Sequence, residues 1–293
     1  MVSDSTSNTA EAVAPRAARR RISTINPPAF FGGNLRGDLA KLLQYRDLLY
    51  TLSVHRVKVR YKQSVLGVFW AILQPLSMML MFTFIFSYIA GIKGEGHYAI
   101  FVYAALLPWN FFSTGVSNAT NSLVSHSQFV TKVYFPREIL PITYVVAALF
   151  DFAVASTLLL GLMIYYHIGL TINALYVVPI MFVLTCFALA ISFFFSATQV
   201  RFRDIGVVVP LLLQLWLFAT PVIYPLSAVP ARFRPFYELN PMVGVIENFR
   251  QVMLRGGAPD TKSLLISAGV SVVLLIVSYL YFKRVEATMA DFI

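Results

Sequence analysis

Six long apolar stretches run through this chain of 293 residues, at 67–92, 98–123, 139–166, 175–197, 205–224 and 264–282. A hydrocarbon core ~30 Å thick takes roughly 20 helical residues to cross, so each stretch is long enough to span a bilayer. Runs of this length satisfy their own backbone polar groups as helices, whereas barrel strands are about half as long. The connections are mostly short and leave no room for a folded soluble domain. Composition agrees: 12% of the residues are charged and 58% hydrophobic, with a mean hydropathy of +0.72, where soluble domains carry about 25% charged residues. The expected fold is all-α, a polytopic membrane protein with six transmembrane helices.

The formal charge of +10 would suit a nucleic-acid binder if it were clustered on a soluble face. Instead, 11 of the 23 Lys and Arg residues precede the first stretch. Basic residues stay cytoplasmic during insertion, so the N-terminus is placed inside, and six spans return the C-terminus inside. Segment 132–137, Arg201, Arg203, Lys283 and Arg284 then also face the cytoplasm, while Lys93 and the basic residues of 226–263 face out. Residues 1–28, rich in Ala, Ser and Arg without an apolar core, predict a disordered cytoplasmic tail and no cleavable secretory signal. The single cysteine, Cys186, lies within the fourth stretch and reads as a small buried hydrophobe.

Segment 29–66 is too polar to span. Leu42, Tyr45, Leu49, Leu52 and Val59 recur at helical spacing with Arg56 on the same stripe, and Lys41, Asp47, Lys58 and Lys62 take other faces. This predicts an amphipathic helix in the headgroup layer, serving either as an anchor for the first span or as a grip on an anionic substrate. Arg56, Arg60 and Lys62 are the candidate cations for a lipid headgroup or pyrophosphate. Gln74-Pro75 predicts a kink in the first span. In the second, Asn110, Thr114, Ser117 and Asn121 form one stripe, which either glues helices together or lines a wet path. Asp151 lies mid-span, where a carboxylate costs ~2.5–3.5 kcal/mol and must face protein or water. No second mid-span acid accompanies it, which argues against solute/proton exchange. Segment 224–262 carries Tyr224, Phe233, Phe236 and Tyr237 among prolines and arginines, and predicts re-entrant or interfacial helices at an external mouth.

The chain has no phosphate-binding glycine loop, since Gly-Lys never occurs, and no His/Cys spacing for a metal or Gly-x-Ser-x-Gly elbow. A catalytic metal or nucleophile is thus unsupported, and any energy for active transport must come from a gradient or from another protein. Four segments in order, 57–75 (VKVRYKQSVLGVFWAILQP), 132–141 (KVYFPREILP), 221–225 (PVIYP) and 239–242 (LNPM), resemble the permease of bacterial polysaccharide exporters of the ATP-binding-cassette class. The likeness runs over roughly 40–293 and is strongest to O-antigen exporters; wall teichoic acid exporters are similar.

The resemblance implies two copies forming a channel for a lipid-linked polysaccharide in the inner membrane, with two separate ATPase subunits that bind ATP and Mg. This chain itself would hold no cofactor. It further implies that segment 124–138 couples to the ATPase through Phe129, Lys132, Val133, Pro136, Arg137 and Glu138. Phe69, Trp70, Asn110, Thr114 and the four mouth aromatics are then channel or mouth candidates, although an ordinary interfacial belt of aromatics accounts for many of them equally well. Two other readings are a capsule or teichoic acid exporter of the same build and a membrane glycosyltransferase or polymerase. The latter would be expected to display more external acids than Glu238, Glu247 and Asp260. A purely structural anchor would not need the charged coupling segment.

Overall fold

The computed structural model describes residues 42–62, 64–89, 91, 97–132, 135–286 and 288–289. Among them every regular element is helical. Helix α1 (Arg46–Lys62) precedes the bundle, and α2 (Phe69–Phe82) runs on into a π-helical segment, Thr83–Ile89. Next come α3 (Tyr98–Thr120), the short α4 (Ser122–Ser125) and α5 (Ser127–Lys132), α6 (Ile139–Tyr165), α7 (Val177–Arg201) and α8 (Ile205–Phe218). After two 3-10 turns follow α9 (Arg234–Glu238), α10 (Pro241–Met253) and α11 (Thr261–Glu286). The predicted tail 1–28, residues 29–41 and Val133 lie outside the described residues.

Among the described residues, five helices are long and apolar enough to cross a membrane: Phe69–Ile89, Tyr98–Thr120, Ile139–Tyr165, Ile172–Arg201 and Thr261–Glu286. The protein is thus a multi-pass membrane protein. The stretch 205–224, expected as a sixth span, is helical for only 14 residues, about 21 Å of rise. It ends there because Pro221 lacks an N–H to continue the ladder; the Leu217 carbonyl accepts from the Thr220 N–H at 3.3 Å, and the Phe218 carbonyl from the Tyr224 hydroxyl at 3.0 Å. The chain nevertheless travels the length of the bundle in this stretch. Gly206 abuts the Gln199 and Asn121 side chains at one end, and Ile223 accepts from the Tyr98 hydroxyl at the other, 2.7 Å away.

The axis of the bundle is α3. Of its most apolar window 78% is buried, against 11% for Phe69–Ile89, which leaves α2 on the periphery. Around α3 pack α2, α6, α7, α8 and α10. A stacked pair, Phe112 on Phe187 at 5.1 Å, is capped edge-on by Trp216 and ties α3 to α7 and α8. α2 continues through Pro75, which cannot donate to the Ala71 carbonyl, and the Ser77 hydroxyl donates to the Gln74 carbonyl at 2.8 Å. α10 is started by Asn240, whose side chain accepts from the Met242 N–H, with Pro241 at the first helical position. Gly244 lets α10 lie against α11, because a Cβ there would stand 2.1 Å from Ser267 Oγ.

One end of the bundle gathers α1, the segment before α6 and the end of α11. Leu42, Tyr45, Leu49 and Leu52 of the predicted stripe pack on a cluster that includes Leu123, Phe135, Ile139, Val200 and Phe282. Val59, assigned to the same stripe, is instead 59% exposed. The start of the helix is a docking face, and its end projects beyond the cluster.

Candidate functional site

Helix α1 is fixed to the bundle by its basic side chains. Arg56 Nη2 donates to His126 Nε2 at 2.8 Å, and the guanidinium lies 4.3 Å over the Tyr144 ring. A guanidinium only donates, so His126 Nε2 is the acceptor and Nδ1 carries the proton that reaches the Ser122 carbonyl at 2.8 Å. Burial, reinforced by the neighbouring Arg56 charge, holds the His126 pKa below its ordinary value, and burial lowers that of Arg56 as well. One turn on, Arg60 and the Tyr61 hydroxyl each donate to a different oxygen of Asp151. Asp151 therefore does not stand alone within its span; a cation and a phenol from α1 meet it. Burial first, then the Asp151 hydrogen bond, raises the Tyr61 pKa. Lys62 is exposed.

Two cavities flank Arg60. One, of ≈ 210 Å³, is lined by His55, Arg56, Arg60, Asn118 and Tyr144 among others. It presents cations and hydrogen-bond donors, which is the chemistry of an anion site. Arg56 Nε is buried beside it without a hydrogen-bond partner among the described residues. The other cavity, of ≈ 250 Å³, lies between α1, α2, α3 and α6 and brings together Trp70, Asn110 and Thr114 with Gln74 and Asp151. The polar stripe of α3 is thus divided in use. Asn110 and Thr114 face this cavity, while Asn121 accepts from Gln199 at 2.7 Å and joins α3 to α7. Phe69 does not line the cavity and is 69% exposed.

Residues 122–132 form α4 and α5 with a break at His126. Phe129 is 56% exposed and Lys132 is exposed, so both are open to a partner. Pro136 and Arg137 are half-buried. Glu138 is turned inward at 1% exposure and meets Lys283 Nζ at 2.8 Å. Arg137 Nη1 donates to the Glu286 carbonyl at 2.8 Å, and Lys283 also meets Glu286. Arg137 and Glu138 therefore pair within the bundle, clamping the segment to α11. Burial, then the Glu286 charge, raises the Glu138 pKa.

At the opposite end Tyr224 and Tyr237 share a hydroxyl contact at 3.2 Å, Phe236 is 73% exposed, and Arg232 lies over the Phe233 ring. The most consequential residue there was missed by the sequence reading. Arg250 of α10 is 1% exposed and donates to the Phe101, Pro221 and Val222 carbonyls at 3.2, 2.7 and 2.5 Å. It also meets Glu247 at 3.0 Å and stacks on Phe101. Burial brings its pKa down to about 10, so it stays charged at neutral pH. One arginine thus fixes the turn after α8 to α3 and α10. A lone Arg among Val243, Ile246 and Phe249, with Glu three residues before it, was the available signal.

Membrane-crossing helices, with a basic helix and a short exposed segment docked at one end, make this a multi-pass membrane protein with a surface open to a partner. The chain belongs to the ABC-2 type transporter family, whose pattern matches residues 47–254. It is a permease, a transport subunit. It is 33% identical over 237 residues to the O-antigen export system permease protein RfbA of Myxococcus xanthus, covering 80% of this chain and 91% of that protein. An O-antigen export permease RfbA of Klebsiella pneumoniae is 29% identical over 160 residues, 54% of this chain and 61% of that protein.

Proposed function

We propose that this chain is the membrane subunit of an ATP-driven exporter that moves a polysaccharide on an undecaprenyl diphosphate carrier across the bacterial inner membrane. Two copies form the channel, and two separate ATPase subunits bind ATP and Mg and engage Phe129 and Lys132 of the α5 segment. The observation that carries the reading is the cavity under α1, where His55, Arg56 and Arg60 converge beside Asn118 and Tyr144. An anion-binding pocket at the end where a basic helix meets the bundle suits a diphosphate arriving from the headgroup layer. The similarity to O-antigen export permeases supports an O-antigen as the glycan.

In this reading the chain crosses six times, with α8 and the turn through residue 224 as the fifth crossing, and both termini are cytoplasmic. The arrangement is supported by α1 and the end of α11 sharing one end of the bundle, which an even number of crossings requires. Segment 224–262, held by Arg250, then lies at the external mouth as re-entrant helices, with Phe233 and Phe236 available to stack on sugar rings. Deleting the gene should abolish the surface polysaccharide while its lipid-linked precursor accumulates at the inner face. Unchanged surface polysaccharide in the deletion strain would contradict the function.

A further inference from the structure

The cavity between α1, α2, α3 and α6 has a lining that a lipid-facing crevice does not need. Asn110 Nδ2 is buried with neither of its hydrogens partnered among the described residues. Asp151 has one oxygen engaged by Arg60 and the other by Tyr61, which leaves about half of the roughly four acceptor positions of a carboxylate open. Gln74 and Thr114 each offer both a donor and an acceptor. Trp70, 51% exposed, presents an aromatic surface on the same wall.

This inventory selects a chemical class. An acyl or prenyl chain would leave the amide and the carboxylate without partners. A phosphate cannot donate, and it would meet the Asp151 charge. A sugar uses all of these groups at once, because each hydroxyl both donates and accepts and the ring carries an apolar face that stacks on an aromatic. Size limits it further: ≈ 250 Å³ lies just under the roughly 300–1,000 Å³ of ligand pockets, room for one ring and not an oligosaccharide. Position names which ring. Arg60 lines both this cavity and the His55–Arg56 cavity, so the two sites adjoin.

We propose that this cavity binds the single sugar ring joined directly to the carrier diphosphate, with Asn110, Asp151 and Gln74 bonding its hydroxyls and Trp70 stacking on its face. The proposal rests on the reading that the chain handles a lipid-linked glycan, and it adds that the permease itself recognises the first sugar.

The test uses the full-length chain in lipid nanodiscs and two kinds of radiolabelled probe: a short prenyl diphosphate, and the same molecule carrying one sugar from a panel of hexoses and N-acetylhexosamines. At least one sugar-bearing probe should bind about tenfold more tightly than the bare one, the worth of roughly one net hydrogen bond with stacking. Asn110→Ala and Trp70→Ala should each remove most of that advantage while leaving the affinity for the bare probe unchanged. Arg56→Gln should weaken every probe alike. Equal affinities across the panel in the wild type, as a cavity holding only water would give, overturn the proposal. So does an undiminished advantage in both cavity variants. Absence of binding by any probe, or no effect of Arg56→Gln, instead overturns the lipid-diphosphate reading beneath it.

Discussion

Arg56 of α1 and His126, the residue between α4 and α5, are joined by a 2.8 Å hydrogen bond in which the histidine can only be the acceptor. The bond links the helix that walls the anion cavity to the segment that faces outward with Phe129. The Tyr144 ring lies against both residues.

This contact is sensitive to acid. The His126 pKa is held below its ordinary value, so the fold favours the neutral ring. Its contribution is present above the usual histidine value of 6.5 and is lost as pH falls below it. Hydrogen exchange in α1 should accelerate, beyond the intrinsic trend, as pH falls below the ordinary histidine value of 6.5. His126→Gln, which keeps an acceptor without a titration, should flatten that step.

Arg250→Leu should lower the unfolding midpoint sharply, on the order of 3–5 kcal/mol, because it strands Glu247 and three buried carbonyls. Arg250→Lys should recover only part of this, since an ammonium lacks the planar fork that reaches Phe101, Pro221 and Val222 together. Thermal unfolding of the detergent-solubilised protein reads both. Equal midpoints for wild type and Arg250→Leu would show that this clasp holds nothing.

Phe129→Asp places a charge on an exposed side chain, so the isolated subunit should insert and fold normally. In the complex it should bury that charge unpaired, at about 3–5 kcal/mol, and co-purification with the ATPase and export should be lost together. Retention of both would remove α5 as the coupling element.

Among the three cations assigned to the headgroup, the contacts predict unequal effects. Arg56→Gln loses His126 and Tyr144 partners as well as charge, and Arg60→Gln strips Asp151 of its cation. Lys62→Gln should cost only about 1 kcal/mol of surface attraction. Export rates should rank accordingly, with the triple variant lowest, and a triple variant at the wild-type rate would exclude the role.

The helices were legible because long apolar runs have one solution in lipid, while the stripe from Leu42 to Leu52, read as lying in the headgroup layer, packs on the bundle. Trp70, Asn110 and Thr114 were each readable as polar or aromatic exceptions within spans. Their convergence was not, because it depends on how α2, α3 and α6 cross. Asp151 gave its depth away but not its partners, which come from residues 90 and 91 positions earlier in the chain. Glu138 had two readings open, a charge on the partner or one within the bundle, because its neighbours in sequence do not name its counter-ion. Lys283, far away in sequence, turns it inward. Residue 205–224 hydropathy set the length of the fifth stretch, while Pro221 and the Tyr224 hydroxyl set where its helix stops.

The central claim is that this chain exports a lipid-linked polysaccharide only together with a separate ATPase. Proteoliposomes containing the purified chain, with and without that ATPase, would be loaded with glycan-bearing lipid on one leaflet and assayed for enzymatic accessibility of the glycan from the other. ATP should drive translocation only when both proteins are present, and the chain alone should hydrolyse no ATP. Translocation or ATP hydrolysis by the chain alone, or none by the assembled pair, would contradict the account.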